Sequence, residues 1–249
     1  EFMWATGKAE LMDFIRECHA GRRPLGAALH RKALEALRLY MIVGGMPQAV
    51  AEYAAAGDFV AVDRVKRSIL NLYRSDILKF AGRDREKAGQ VFDAIPAQLQ
   101  RHEKRFVLSR VRKGARTRDY ANALFWLEES RTVNVCRAST QPNIGLGLSR
   151  DDAKYKLYLS DTGLLLSMAF DERRLVDERV YQKLLFDKLE INKGMLVENL
   201  VAQMLRASGM QLYFFSSYST ESSQRMEIDF LIRKSDVTSR HNIVPVEVK

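Results

Sequence analysis

The run Arg225-Met226-Glu227-Ile228-Asp229-Phe230-Leu231-Ile232-Arg233, with the closing Val244-Pro245-Val246-Glu247-Val248-Lys249, decides how the rest of the chain is read. In an extended strand successive side chains point to opposite faces. Met226, Ile228, Phe230 and Ile232 therefore share one face, and Glu227, Asp229 and Leu231 share the other. Strict alternation predicts that Asp229 points away from the apolar face. In the closing run Val244, Val246 and Val248 lie on one side, while Pro245, Glu247 and Lys249 lie on the opposite side as same-face neighbours. The polar connection from Lys234 to Asn242 suits a hairpin, which would bring Asp229 close to Glu247.

Upstream, KGMLVENLVAQMLRASG carries a helical apolar stripe of Val197, Leu200, Val201, Met204 and Leu205, with Gly209 as its expected C-cap. Glu198 falls beside Leu205, at the edge of that stripe. A carboxylate there needs a partner, a metal, or a route past its neighbours to solvent.

A helix Glu, a strand Asp and a strand Glu-x-Lys together resemble the active core of the PD-(D/E)XK nuclease superfamily. Glu198, Asp229, Glu247 and Lys249 are the matching positions. The resemblance implies that Glu198, Asp229 and Glu247 bind Mg2+ through carboxylate oxygens, and that the metal polarises a phosphate and activates water. Lys249 would supply a donor to the attacking water or to the charge developing on phosphorus. The same spacing also fits two solvated strand faces with no chemistry.

The chain has 249 residues, 47% hydrophobic and 29% charged, and reads as soluble and globular with room for two or three domains. No apolar run approaches the roughly 18 residues of a membrane span, and no secretory signal opens the chain. A cytoplasmic protein without membrane contact is expected. Cys18 and Cys136 are far apart, against a disulfide framework or a zinc site.

The net charge is +9, and much of it is focused. Between residues 101 and 118, Arg101, Lys104, Arg105, Arg110, Arg112, Lys113, Arg116 and Arg118 face a single acid, Glu103, a local +7. Such a segment is the footprint of a phosphate backbone, although many basic runs are only solvated faces. Around it the pattern predicts helices near residues 27–43, 47–57, from Asp58 onward, from about residue 90, within 106–114, and from Thr117 to about Ser130. Alternating strands follow in RTVNVCR and KYKLYLS. Helices and then a two-stranded hairpin is the order of a winged helix, with the helix from Thr117 as recognition helix and Arg116 and Arg118 at its phosphate-favouring N-terminus. Duplex DNA is the expected partner, against the plainer reading of a small helical domain that only packs internally.

Read in order, LYMIVGGMPQAV, YRSDI, IPAQL, ARTRDYANALFWLEES, KLYLSDTGLL, MLVENLVAQML, EIDFLI and VPVEVK resemble the C-terminal portion of a prokaryotic AAA+ superfamily ATPase family. The resemblance implies an N-terminal P-loop module, a helical and winged-helix-like middle, and a nuclease-like C-terminal region. No G-x-x-x-x-G-K-[ST] occurs here, so ATP belongs only to the missing P-loop module and the chain reads as a fragment without its motor. A nuclease fold of this kind is also expected to continue past Lys249.

The expected fold is mixed α+β: a helical region over 1–80, a winged-helix-like domain over 81–170, and a truncated PD-(D/E)XK nuclease-like αβ segment over 185–249. Three functions stay open: a Mg2+-dependent nuclease, a DNA-binding module with an inactive core, and an interaction platform for the missing ATPase module. A homo-oligomer is compatible with each.

Overall fold

A computed structural model describes residues 1–101, 104–142, 145–170, 177–185, 193–217, 226–234 and 242–248. The fold is mixed α+β. In chain order the elements are α1 (Phe2–Ala5), α2 (Ala9–Ala20), α3 (Ala27–Val43), α4 (Pro47–Ala56), α5 (Phe59–Phe80), α6 (Arg85–Leu99), α7 (Thr117–Glu129), β1 (Val133–Ser139), β2 (Arg150–Leu159), α8 (Thr162–Ala169), α9 (Glu178–Leu185), α10 (Lys193–Ala207), β3 (Leu212–Ser217), β4 (Met226–Arg233) and β5 (Ile243–Val246).

Local chemistry sets several helix boundaries. Pro47 opens α4, and Gly57 closes it in the left-handed conformation. Asp58 caps α5 by accepting from the amides of Val60 (2.8 Å) and Ala61 (3.1 Å). The stretch 106–114 holds only a single 3-10 turn, Leu108–Arg110, where a short α-helix was expected.

The chain forms two compact units, residues 1–72 with 161–193 and residues 73–160 with 194–249. The first is helical. Its core draws Ala36, Leu39, Ile42 and Val43 from α3, Phe59, Val62, Ile69 and Leu70 from α5, and nearly the whole of α8. Because α8 is apolar all round, it is buried all round. Asp161 fixes it in place: the carboxylate accepts from Leu164 N (2.9 Å) at the helix start and from Gly45 N (2.6 Å) in the turn after α3. Gly44 has φ +87°, and a Cβ there would lie 2.3 Å from the Asp161 carboxylate. A Cβ on Gly163 would lie 2.5 Å from Val43 O. The GGMP and SDTG motifs are thus the two halves of one close backbone contact.

In the second unit a five-stranded sheet runs β2-β1-β3-β4-β5. The β1–β2, β3–β4 and β4–β5 pairs are antiparallel, whereas β1 and β3 are parallel. That parallel pair alters the expected domain plan. The hairpin assigned to 81–170 and the strands assigned to 185–249 form one sheet, because Cys136, Arg137 and Ala138 pair with Leu212, Tyr213 and Phe214. Residues 161–193, the first ten of them expected in the winged-helix-like domain, belong to the helical unit.

The β3–β4 register slips by one between Tyr213↔Leu231 and Phe215↔Ile228. The extra β4 residue falls at Asp229-Phe230, and at such a bulge neighbouring side chains can share a face. The expected alternation therefore holds from Glu227 to Asp229 and breaks between Asp229 and Phe230. Phe230 lies against Tyr158 (ring centroids 5.6 Å), Asp229 reaches Lys156 on the same face, and Ile228 and Leu231 pack with Tyr213 and Leu146 on the other.

Candidate functional site

Three elements of the second unit converge on one ammonium group. Lys156 on β2 is fully buried, and its Nζ lies 3.4 Å from Glu198 Oε1, 3.3 Å from Asp229 Oδ1 and 3.0 Å from Glu227 Oε1. Glu198, projecting from α10, is also fully buried. It pairs with Lys104 through Oε2 and accepts a hydrogen bond from the Tyr158 hydroxyl at Oε1. The second oxygen of Asp229 accepts from Val248 N at 3.0 Å. Asn199 holds α10 beside these groups, accepting from Leu159 N (2.8 Å) and donating to Leu159 O (3.2 Å).

The strand registers explain the convergence. Cys136 stands opposite Lys156 and Asn134 opposite Tyr158, so Lys156 and Tyr158 share one face. The Lys156 ammonium also lies 5.2 Å from the Phe214 ring centroid. Burial alone would lower the pKa of Lys156, but Glu198, Glu227 and Asp229 outweigh it and hold the ammonium above its ordinary value. Burial, reinforced by Glu198, raises the Tyr158 phenol, so it stays protonated and donates. Burial likewise pushes up the thiol of Cys136, an inert neighbour; both cysteines are free and buried.

Of the residues expected at a metal centre, Glu198 and Asp229 are brought together, around a lysine. Glu247 is not. The register sets Phe230 opposite Val246 on the Tyr158 side of the sheet, so the next residue, Glu247, leaves that side and is exposed. Lys249 lies outside the described residues. Among the described residues, no group of three or more His, Cys, Asp or Glu side chains is placed to hold a metal ion.

The basic segment divides. Lys104 turns inward to Glu198 and is only 16% exposed, while Arg105 is half-buried. Arg101, Arg110, Arg112, Lys113, Arg116 and Arg118 are exposed. Arg116 is the N-cap residue of α7 and makes no side-chain cap, and Arg118 has only a loose contact, 3.6 Å, with the exposed Asp119.

The sequence reading missed Lys156, Tyr158 and the inward role of Lys104. A signal was available in KYKLYLS: alternation puts Lys156 on the face of Tyr158, within a run that is apolar on both sides. A lysine in such a position needs a carboxylate.

Among the described residues no helix is long and apolar enough to cross a membrane. Comparison with known proteins returned no matching curated protein and no matching solved structure. Residues 193–249 match a domain of unknown function, DUF4143, often found at the C-terminus of AAA-ATPase-associated proteins. A second family model covers residues 34–174, more than half of the chain, and the protein accordingly belongs to the family described as domain of unknown function DUF8612.

Proposed function

We propose that the chain is a duplex-DNA-binding module of an AAA+ ATPase system, with a nuclease-like core that is non-catalytic. The observation that carries the DNA reading is the set of exposed cations Arg110, Arg112, Lys113, Arg116 and Arg118 leading into the N-terminus of α7. Side-chain charge and helix dipole act there in the same direction on a phosphate. The non-catalytic reading rests on Lys156. Its ammonium occupies the position between Glu198 and Asp229 that a hard divalent cation would need, and a metal would have to displace a buried, three-way-paired lysine to enter.

A second reading is favoured by the same convergence. Glu198 and Asp229 both lie within 3.4 Å of one cationic centre, so a rearrangement that withdrew Lys156 would leave two carboxylates aimed at a common point. The nuclease would then be a latent state.

The test is duplex binding followed by fluorescence anisotropy over a salt series, with cleavage scored in Mg2+ or Mn2+. Arg116→Ala/Arg118→Ala should weaken binding and reduce the log-log salt slope by about 0.9 for each phosphate that the protein no longer neutralises. Absence of salt-sensitive binding by the unaltered chain would refute the DNA reading. Metal-dependent cleavage abolished by Asp229→Asn would replace the non-catalytic reading with the latent one.

A further inference from the structure

The second unit contains a cavity of about 600 Å3 that the acid-lysine cluster does not use. It lies between the turn preceding β2, the start of β3 and the end of β4. Leu146, Leu205, Leu212, Phe230 and Leu231 give it an apolar lining. Leu146, Tyr213 and Leu231 are themselves packed in a buried cluster backed by Phe215, Ile228 and Ile243, so this wall stands without a ligand to hold it open.

The polar equipment is sparse and asymmetric. The Tyr213 hydroxyl donates to Gln211 Oε1 at 2.9 Å, so these two groups satisfy one another. Arg233 is the one charged residue in the lining, and among the described residues its exposed guanidinium has no carboxylate partner. An apolar chamber in the size range of small-molecule sites, about 300–1,000 Å3, with a single cationic handle at its edge selects a ligand with an apolar body and one anionic head. Arginine is suited to that head because its planar fork meets a carboxylate through two parallel hydrogen bonds.

We infer that this cavity binds a small amphipathic carboxylate, with its hydrocarbon body among Leu146, Tyr213 and Leu231 and its head on Arg233. The site is independent of DNA binding and of the state of Lys156.

Isothermal titration of the whole chain with decanoate, kept monomeric, tests it, with decanol as the uncharged control. Saturable one-to-one binding is expected, with decanol at least tenfold weaker. Arg233→Met should lose at least tenfold in decanoate affinity and leave decanol unchanged. Met210→Trp, at a lining residue that is 38% exposed, should weaken both by filling the cavity. Arg233→Gln gives the same reading should the methionine variant lose its cooperative melt. The inference is overturned by absence of saturable decanoate binding, or by equal decanoate affinity in the arginine variants. It is also overturned if an apolar peptide with a free C-terminal carboxylate binds the same site more tightly than decanoate, because the ligand is then a protein segment.

Discussion

Replacing Lys156 with methionine keeps the length and apolar stem of the side chain and deletes only the charge that three carboxylates share. Removing one partner of a buried ion pair costs about 3–5 kcal/mol, because the remaining charge stays desolvated and uncompensated. Here the lower end applies. Glu198 is fully buried but keeps Lys104 and Tyr158, while Asp229 and Glu227 are 16% and 36% exposed and are partly repaid by water. A loss of about 3 kcal/mol in a chain of this size lowers the melting temperature by roughly 6–12 °C. Urea unfolding and thermal melts at neutral pH measure it. Glu227→Gln is the control, with an expected loss below about 1 kcal/mol at that partly solvated site. The double variant Lys156→Met/Glu198→Gln should recover about 2 kcal/mol of the single-variant loss, a coupling of the size found within one ion-pair network. A Lys156→Met loss no larger than that of Glu227→Gln, or a strictly additive double variant, would refute the argument that the ammonium neutralises this core.

Further expectations concern the helical unit. Burial lowers the pKa of Lys66 to about 8, against the opposing pull of Asp63 and Asp161, while its ammonium donates to Ile42 O at 2.8 Å. Between about pH 8 and the unfolded value near 10.5, the unfolded chain binds more protons at this residue, so its contribution makes stability rise with pH, by at most about 3 kcal/mol. Urea titrations from pH 7.5 to 9.5 should show that positive slope reduced in Lys66→Met; an identical slope in the two proteins contradicts the assignment. Asp161→Ala removes the cap of α8 and the Gly45 contact together and should cost about 2 kcal/mol or more. Gly163→Ala should cost about 1–3 kcal/mol, because the added carbon meets backbone atoms that cannot rotate away. Circular dichroism melts check both, and a neutral Gly163→Ala would mean that the contact with Val43 is looser than 2.5 Å.

Much of the helical unit was legible because its signals are local. Pro47, Gly57 and Asp58 mark helix ends through their own backbone and capping chemistry, and the observed boundaries fall where those residues sit. In the second unit, helix α7 likewise emerged where Thr117 and the spacing of Tyr120, Leu124 and Leu127 put it. The candidate site was legible only by halves. Glu198 stood out as a carboxylate at the edge of an apolar stripe and Asp229 through its match to the nuclease-like pattern, and they do meet. Their cation came from β2, forty-two residues before Glu198, and a strand carries no mark of which distant carboxylate its lysine will face. Nor does alternation announce a bulge. One extra residue at Asp229-Phe230 moves Phe230 to the face of Tyr158 and takes Glu247 out of the cluster. The parallel pairing of β1 with β3 was invisible for the same reason, since its register is decided across the sheet and not along the chain.

That pairing also dictates an order of assembly. β1 ends at Ser139 and its parallel neighbour does not begin until Leu212, with the whole of 161–193 given to the other unit in between. On a ribosome the β1–β2 hairpin emerges long before the strand that covers the free edge of β1. Closing so large a loop is entropically slow, and an open strand edge is a template for pairing with other chains. The nascent chain therefore passes through a window in which half a sheet waits for the other half. Whatever shields β1 in that interval has one task, to keep its open edge from pairing with other chains until β3 arrives.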